Sequence, residues 1–262
     1  MVARVSMRNQ MRAWGLVSDE ELARVVVVSP HLDDAVLGCA RLMAAHPGAT
    51  VVTVFAGRPP GYPDPMTWWD TLAGFGPGDE VIAARREEDR AALAELAATP
   101  LHLEHVEHQY LPRPEWVRPE QVVDDLEATI RALDPTAVVL PFGLANPDHA
   151  CTHDAGRVVR ERMPGPAWFC YEDTGYKHIP GMLAWRVSRL LASGLWPTPA
   201  APTVDPGEAR KQAALANYVS QLEALEADWQ IGAKLAAPAP EQIWRLAPPP
   251  EGWERLTEET PR

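Results

Sequence analysis

The chain is poor in cysteine, poor in basic residues and without long apolar runs. Cysteine occurs three times in 262 residues, at Cys39, Cys151 and Cys170. An odd, sparse set argues against a disulfide scaffold and suits a reducing compartment, so a cytoplasmic location is expected. Lys and Arg number 24 against 36 Asp and Glu, a net charge of −12. Nucleic-acid phosphates select for cationic surfaces, so a general nucleic-acid binder is not expected, although a local basic pocket remains allowed. No stretch approaches about 18 apolar residues, so no stable membrane insertion is expected. Residues 1–17 lack the apolar core of a signal peptide. GxGxxG, a glycine-rich phosphate loop, GxSxG and HExxH are all missing, which removes the usual signatures of dinucleotide enzymes, serine hydrolases and zincins.

What is present reads as a folded domain. Apolar residues make up 46 % of the chain, too many for disorder. Proline, 27 residues, is about twice average usage. It gathers in 59–65, 111–119, 197–206 and 237–250; these read as ordered loops and a tail rather than linkers. One domain over 1–262 is expected, with a terminal helix over about 1–20 and a proline-rich tail over about 247–262. Arg4, Arg8 and Arg12 share one face of that first helix. The run RVVVVSP, 24–30, predicts a strand buried on both faces, as in parallel sheets. Further strands are predicted over 50–56, 101–106, 137–141, 167–171 and 241–246. Helices are predicted over 31–46, 79–96, 120–133, 149–163 and, unbroken, 208–229. Alternation of this kind predicts an α/β, Rossmann-like fold, a mostly parallel sheet with helices on both faces.

In such sheets ligands sit beyond the carboxyl ends of the strands. After the first strand comes Pro30-His31-Leu32-Asp33-Asp34, and after the fourth Asn146-Pro147-Asp148-His149. Adjacent carboxylates repel at close range, and a divalent cation resolves that repulsion. His31 and Asp34, three residues apart, can face one point. A second corner bearing His149 can complete a site of two imidazoles and one carboxylate with an open position, the pattern of catalytic rather than structural zinc. Asp33, the spare acid, is placed to take a proton from water there. Taken singly, each corner could be an ordinary helix start; two complementary corners at one sheet edge favour Zn2+.

These stretches resemble the PHxDDxxLG and HxDH motifs of the LmbE/PIG-L family of zinc-dependent de-N-acetylases. Trp69-Asp70 with Gly74-Phe75 is similar to the family's WD…GF stretch. Arg85, Glu88, Ala92 and Leu96 resemble its RxxExxxAxxxL helix, Tyr171-Glu172-Asp173 with Tyr176 its YED..Y element, and Lys211 with Tyr218-Val219-Ser220-Gln221 its late helix. The resemblance spans roughly residues 24–246. It implies that His31, Asp34 and His149 bind zinc, that Asp33 is the general base, and that Asp148 sits beside the metal and orients its neighbour. It also implies an N-acylated, sugar-containing small-molecule substrate, with acetyl as the acyl group. The other readings on this fold are a thiol-conjugate amidase, another metal hydrolase, or a catalytically impaired metal-binding protein; a homo-oligomer is left open. Asn146 departs from the pattern, since many members carry His there. Asn can donate a hydrogen bond to an oxyanion but cannot transfer a proton. Asp33 is therefore expected to serve as base and acid, with His153 and then His178 as substitutes.

The remaining polar residues have ordinary readings. Arg85 and Glu88 are expected to pair with each other, and Lys211 to pair or snorkel. His153 is expected to pack or to support the site from behind. His102 and His108 would share a strand face that His105 does not, so no second metal site is expected. Trp68 and Trp69 either pack or stack on a sugar. Cys151 is expected to be inert.

Overall fold

The computed structural model describes residues 15–236, 241–249, 251 and 253. The arginine-bearing helix expected over 1–20 falls mostly outside the described residues, as does most of the tail. The buried valine run forms β1 (Val25–Ser29), with Val25 to Val28 at most 4 % exposed. There follow α1 (Asp34–Ala45), β2 (Thr50–Thr53), α2 (Trp68–Leu72), α3 (Val81–Glu95) and β3 (Thr99–His102). Next are α4 (Pro119–Leu133), β4 (Ala137–Pro141), α5 (Pro147–Arg162), β5 (Ala167–Tyr171), α6 (Met182–Ala192) and β6 (Trp196–Ala200). The chain continues through α7 (Ala209–Leu215), α8 (Val219–Trp229), α9 (Ile231–Ala236) and β7 (Ile243–Ala247).

The seven strands form one sheet in the order β3-β2-β1-β4-β5-β7-β6. The first five strands run parallel, and β7 and β6 join antiparallel. Period-two alternation divides the core. Val25 and Val27 pack with α1, α3 and α7, whereas Val26 and Val28 pack with α4 and α5. Helices thus cover both faces, as expected. Gly38 of α1 lies so close to β5 that a Cβ would meet the Tyr171 ring at 2.5 Å, so only glycine lets this helix seat.

The structure corrects several expectations. The third strand lies over Thr99–His102, not 101–106. The helix expected over 208–229 breaks at 216–218, because Tyr218 turns inward to donate to Asp89 Oδ1 at 2.7 Å. Helix α6 and strand β6 were not anticipated; Pro197 and Pro199 disguise β6 as a loop. No helix among the described residues is long and apolar enough to cross a membrane.

Candidate active site

The chain leaves β1 towards β2 and β3, and β4 lies on β1's other side. The tips of β1 and β4 are therefore the switch point of the sheet, where a crevice opens. After β1, Ser29 fixes the corner: its hydroxyl donates to the His31 carbonyl at 2.6 Å and accepts from Ala35 N–H at 3.0 Å. After β4, Gly143 takes φ +73°, a left-handed turn that glycine adopts without strain. Its missing Cβ also leaves room for His153, which would otherwise stand 2.5 Å away. Asn146 then caps α5, its Oδ1 accepting from Asp148 N–H at 2.8 Å.

His31, Asp34 and His149 converge, with one ligand atom from each within 4.8 Å of the others. Asp34 Oδ2 lies 3.3 Å from His31 Nδ1 and 3.2 Å from His149 Nε2. The opposite ring nitrogens are held by buried carboxylates: His31 Nε2 donates to Asp148 Oδ2 at 3.0 Å, and His149 Nδ1 to Asp173 Oδ1 at 2.5 Å. Imidazoles that donate backwards to carboxylates turn lone pairs forwards, the arrangement that metal-binding histidines use. The donor set fits a divalent cation.

The buried charges of these groups are tightly coupled. Burial acts against the Asp34 charge, but His149 and His31 outweigh it and hold the carboxyl well below the usual carboxylate range. Burial likewise opposes a charge on His149, yet Asp34 and Asp173 raise its pKa to about 9. Asp33 is 8 % exposed; burial and the Asp34 charge push it up to about 8.

The crevice opens into a cavity of about 360 Å³ lined by Asp33, the three prospective ligands, Asn146 and residues from distant segments. Tyr176 sets its ring edge against His149 at 5.1 Å and meets Trp229 at 5.2 Å. Its hydroxyl accepts a long hydrogen bond, 3.4 Å, from Asn146 Nδ2. Trp68 is 61 % exposed at the rim, whereas Trp69 is tied to α8 through Gln221 Oε1 at 3.2 Å.

Arg85 and Glu88 do not pair with each other, contrary to expectation. Arg85 is buried against Asp70, Nη2 to Oδ1 at 2.9 Å, with Glu107 Oε1 at 3.9 Å. Glu88 instead accepts from Ser220, N–H at 2.9 Å and hydroxyl at 2.7 Å. Lys211 pairs with Glu241 at 2.8 Å, as one of its readings held. His153 is buried behind the site, its Nδ1 donating to the Pro141 carbonyl at 2.8 Å. His178 is exposed and does not line the cavity.

His108 does not share a strand face with His102. It opens a 3₁₀ turn, His108–Tyr110, and lines the cavity. Its Nδ1 lies 2.8 Å from Asp148 Oδ2, the oxygen that also holds His31. The signal was available, because His108 follows β3 at the same edge of the sheet as the two corners.

Several proteins of known structure are similar to this chain. The antibiotic A40926 pseudoaglycone deacetylase Dbv21 superposes with TM-score 0.69 at 28 % identity, covering 86 % of this chain and 96 % of its own. The zinc-inhibited form of teicoplanin deacetylase Orf2 gives TM-score 0.69 at 25 % identity, covering 87 % and 99 %. The N,N'-diacetylchitobiose deacetylase of Pyrococcus horikoshii shares the fold, TM-score 0.52 at 16 % identity, covering 95 % of each chain. No curated protein matches by sequence. The sequence profile of the GlcNAc-PI de-N-acetylases matches residues 26–159, a span holding both corners. By that match over half its length the chain belongs to the PIG-L family, whose chemistry is amide hydrolysis by N-deacetylation.

Proposed function

We propose that this chain is a zinc-dependent hydrolase that removes an acetyl group from the amine of a sugar-containing small molecule. The observation that carries the reading is the convergence of His31, Asp34 and His149 beside a buried Asp33 in an aromatic-walled cavity. The deacetylases similar to this chain, Dbv21 and Orf2, support a glycoconjugate as substrate. A cation held by the three ligands supplies Lewis acidity at the amide carbonyl and lowers the pKa of water beside it.

The protein's own groups do the rest. Asp148 and Asp173 accept from the two imidazoles and stop them rotating. Asp33 takes the proton of the attacking water. Asn146, with Oδ1 committed to the α5 cap, turns Nδ2 towards the cavity, where it donates to the oxyanion of the tetrahedral intermediate. Trp68 offers an exposed face on which a sugar ring can stack.

The test couples metal analysis with amine release from a panel of N-acetylated amino-sugars and glycopeptide pseudoaglycones. We expect about one zinc per chain and turnover on at least one glycoconjugate. A protein that binds zinc but releases no amine from any member of the panel overturns the reading.

A further inference from the structure

Breaking the amide C–N bond requires a proton on the departing nitrogen, a role expected from the sequence to fall to Asp33 alongside that of base; a separate donor leaves Asp33 to the attacking water alone. Asn146 has no titratable proton. His153 is buried against the Pro141 carbonyl, and His178 is exposed away from the cavity. Apart from the two prospective ligands, His108 is the one histidine lining the cavity among the described residues.

We propose that His108 is the general acid, delivering a proton from Nε2 to the leaving amine. This rests on the deacetylase reading and adds a catalytic residue to it. The geometry is that of an oriented acid. Nδ1 is anchored on Asp148 Oδ2 at 2.8 Å, and the His108 backbone N–H donates to the same oxygen at 3.1 Å. The two bonds fix both the position and the rotation of the ring. Trp116 closes its flank, edge-on at 5.2 Å and 81°. Nε2 takes part in none of these contacts, and the side chain keeps 25 % of its surface exposed. With Nδ1 held on Asp148, Nε2 is the ring nitrogen left to meet a substrate.

The protons balance. Water gives one proton to Asp33 as its oxygen bonds to the carbonyl carbon. His108 gives its Nε2 proton to nitrogen as the C–N bond breaks, the bonding pair leaving with the amine. Asp33 then sheds its proton to solvent and His108 regains one. Net, one water and one amide become a carboxylic acid and an amine.

The experiment compares wild type, His108→Ala and His108→Gln on the best N-acetylated sugar of the panel, with zinc content measured for each. We expect both variants to keep their zinc and KM within a few-fold while kcat falls by about 10²–10⁴-fold. Added imidazoles should restore His108→Ala, at rates that follow the pKa of the imidazole supplied; a ring that merely fills space rescues without that dependence. Independently of turnover, ¹⁵N spectra of the metal-free protein should show neutral His108 protonated at Nδ1. The Nε2–H tautomer overturns the orientation. Variants that retain wild-type kcat, or that lose zinc along with activity, overturn the inference and leave the deacetylase reading standing. Absence of amine release by the wild type removes both.

Discussion

At the tips of β1 and β4, the prospective ligands come from two short stretches, His31 to Asp34 and one turn of α5. The far wall of the cavity depends on contacts such as Trp69 with Gln221 and Glu88 with Ser220, whose partners stand 152 and 132 residues apart. The two regions meet around one cavity yet are specified differently. The corner is fixed by local geometry: a strand end, a tight turn, a helix start and a spacing of three residues. The wall is fixed by side chains that find each other only once the sheet has formed. Substitutions at the corner should therefore abolish chemistry with little effect on folding, and substitutions in the wall should do the reverse.

The strongest break of this contrast is removal of a ligand. His31→Ala, Asp34→Ala and His149→Ala should each lose most of the bound zinc and all measurable turnover, by elemental analysis and amine release. Zinc retained at wild-type level by all three would dissolve the corner as described. Asp33→Asn keeps the shape of the side chain and removes its basicity. It should retain zinc and lower kcat by about 10²–10⁴-fold; zinc loss instead would exchange the roles of Asp33 and Asp34.

The buried framework around the cavity responds through stability. Asp70→Asn leaves Arg85 buried without its closest carboxylate, at 1 % and 0 % side-chain exposure in the native pair. Denaturant unfolding should show a loss of about 3–5 kcal/mol, with zinc content preserved. A gentler probe is acid. Burial, then the Arg186 charge, lower the pKa of His153 to about 3. The unfolded chain takes up that proton near pH 6.5 and the folded chain only near 3. Stability should thus decline as pH falls through this window, by about 1.4 kcal/mol per unit from this group. A His153→Gln variant should lack that part of the slope. The smallest stability effect is expected at Trp68, exposed at the rim. Trp68→Ala should change stability by less than about 0.5 kcal/mol while raising KM for a sugar substrate, by isothermal and kinetic titration.

This division also explains what was legible in the sequence. Val25 to Val28 announced a buried strand, and the His31–Asp34 spacing announced ligands facing one point, because each is a local pattern. Asn146 was read only for its chemistry, and its cap on Asp148 became visible with α5 in place. Arg85 and Glu88 were paired with each other on helical spacing, whereas tertiary partners, Asp70 and Ser220, won both. The break between α7 and α8 has the same cause: Tyr218 reaches Asp89, and no local signal marks it. A face shared by His102 and His108 would have required β3 to continue to residue 108. Strand pairing of β3 with β2 stops at His102, which releases the following segment to bend over the cavity.

The two outermost strands share a property that bears on behaviour at high concentration. β3 ends one side of the sheet and β6 the other. In β3, Thr99 and then Leu103 donate inwards to Ala49 and Thr53, so Pro100 occupies an outward position that would otherwise carry a free N–H. In β6, Pro197 and Pro199 stand opposite Leu246 and Trp244, removing two more donors from an edge strand. Beyond β6, Ala201 N–H is taken by the Gly15 carbonyl at 2.8 Å. An arriving strand from another molecule finds gaps in the donor row on either flank. The prolines act as selvedges, finishing the woven edges so that the sheet does not ravel into its neighbours.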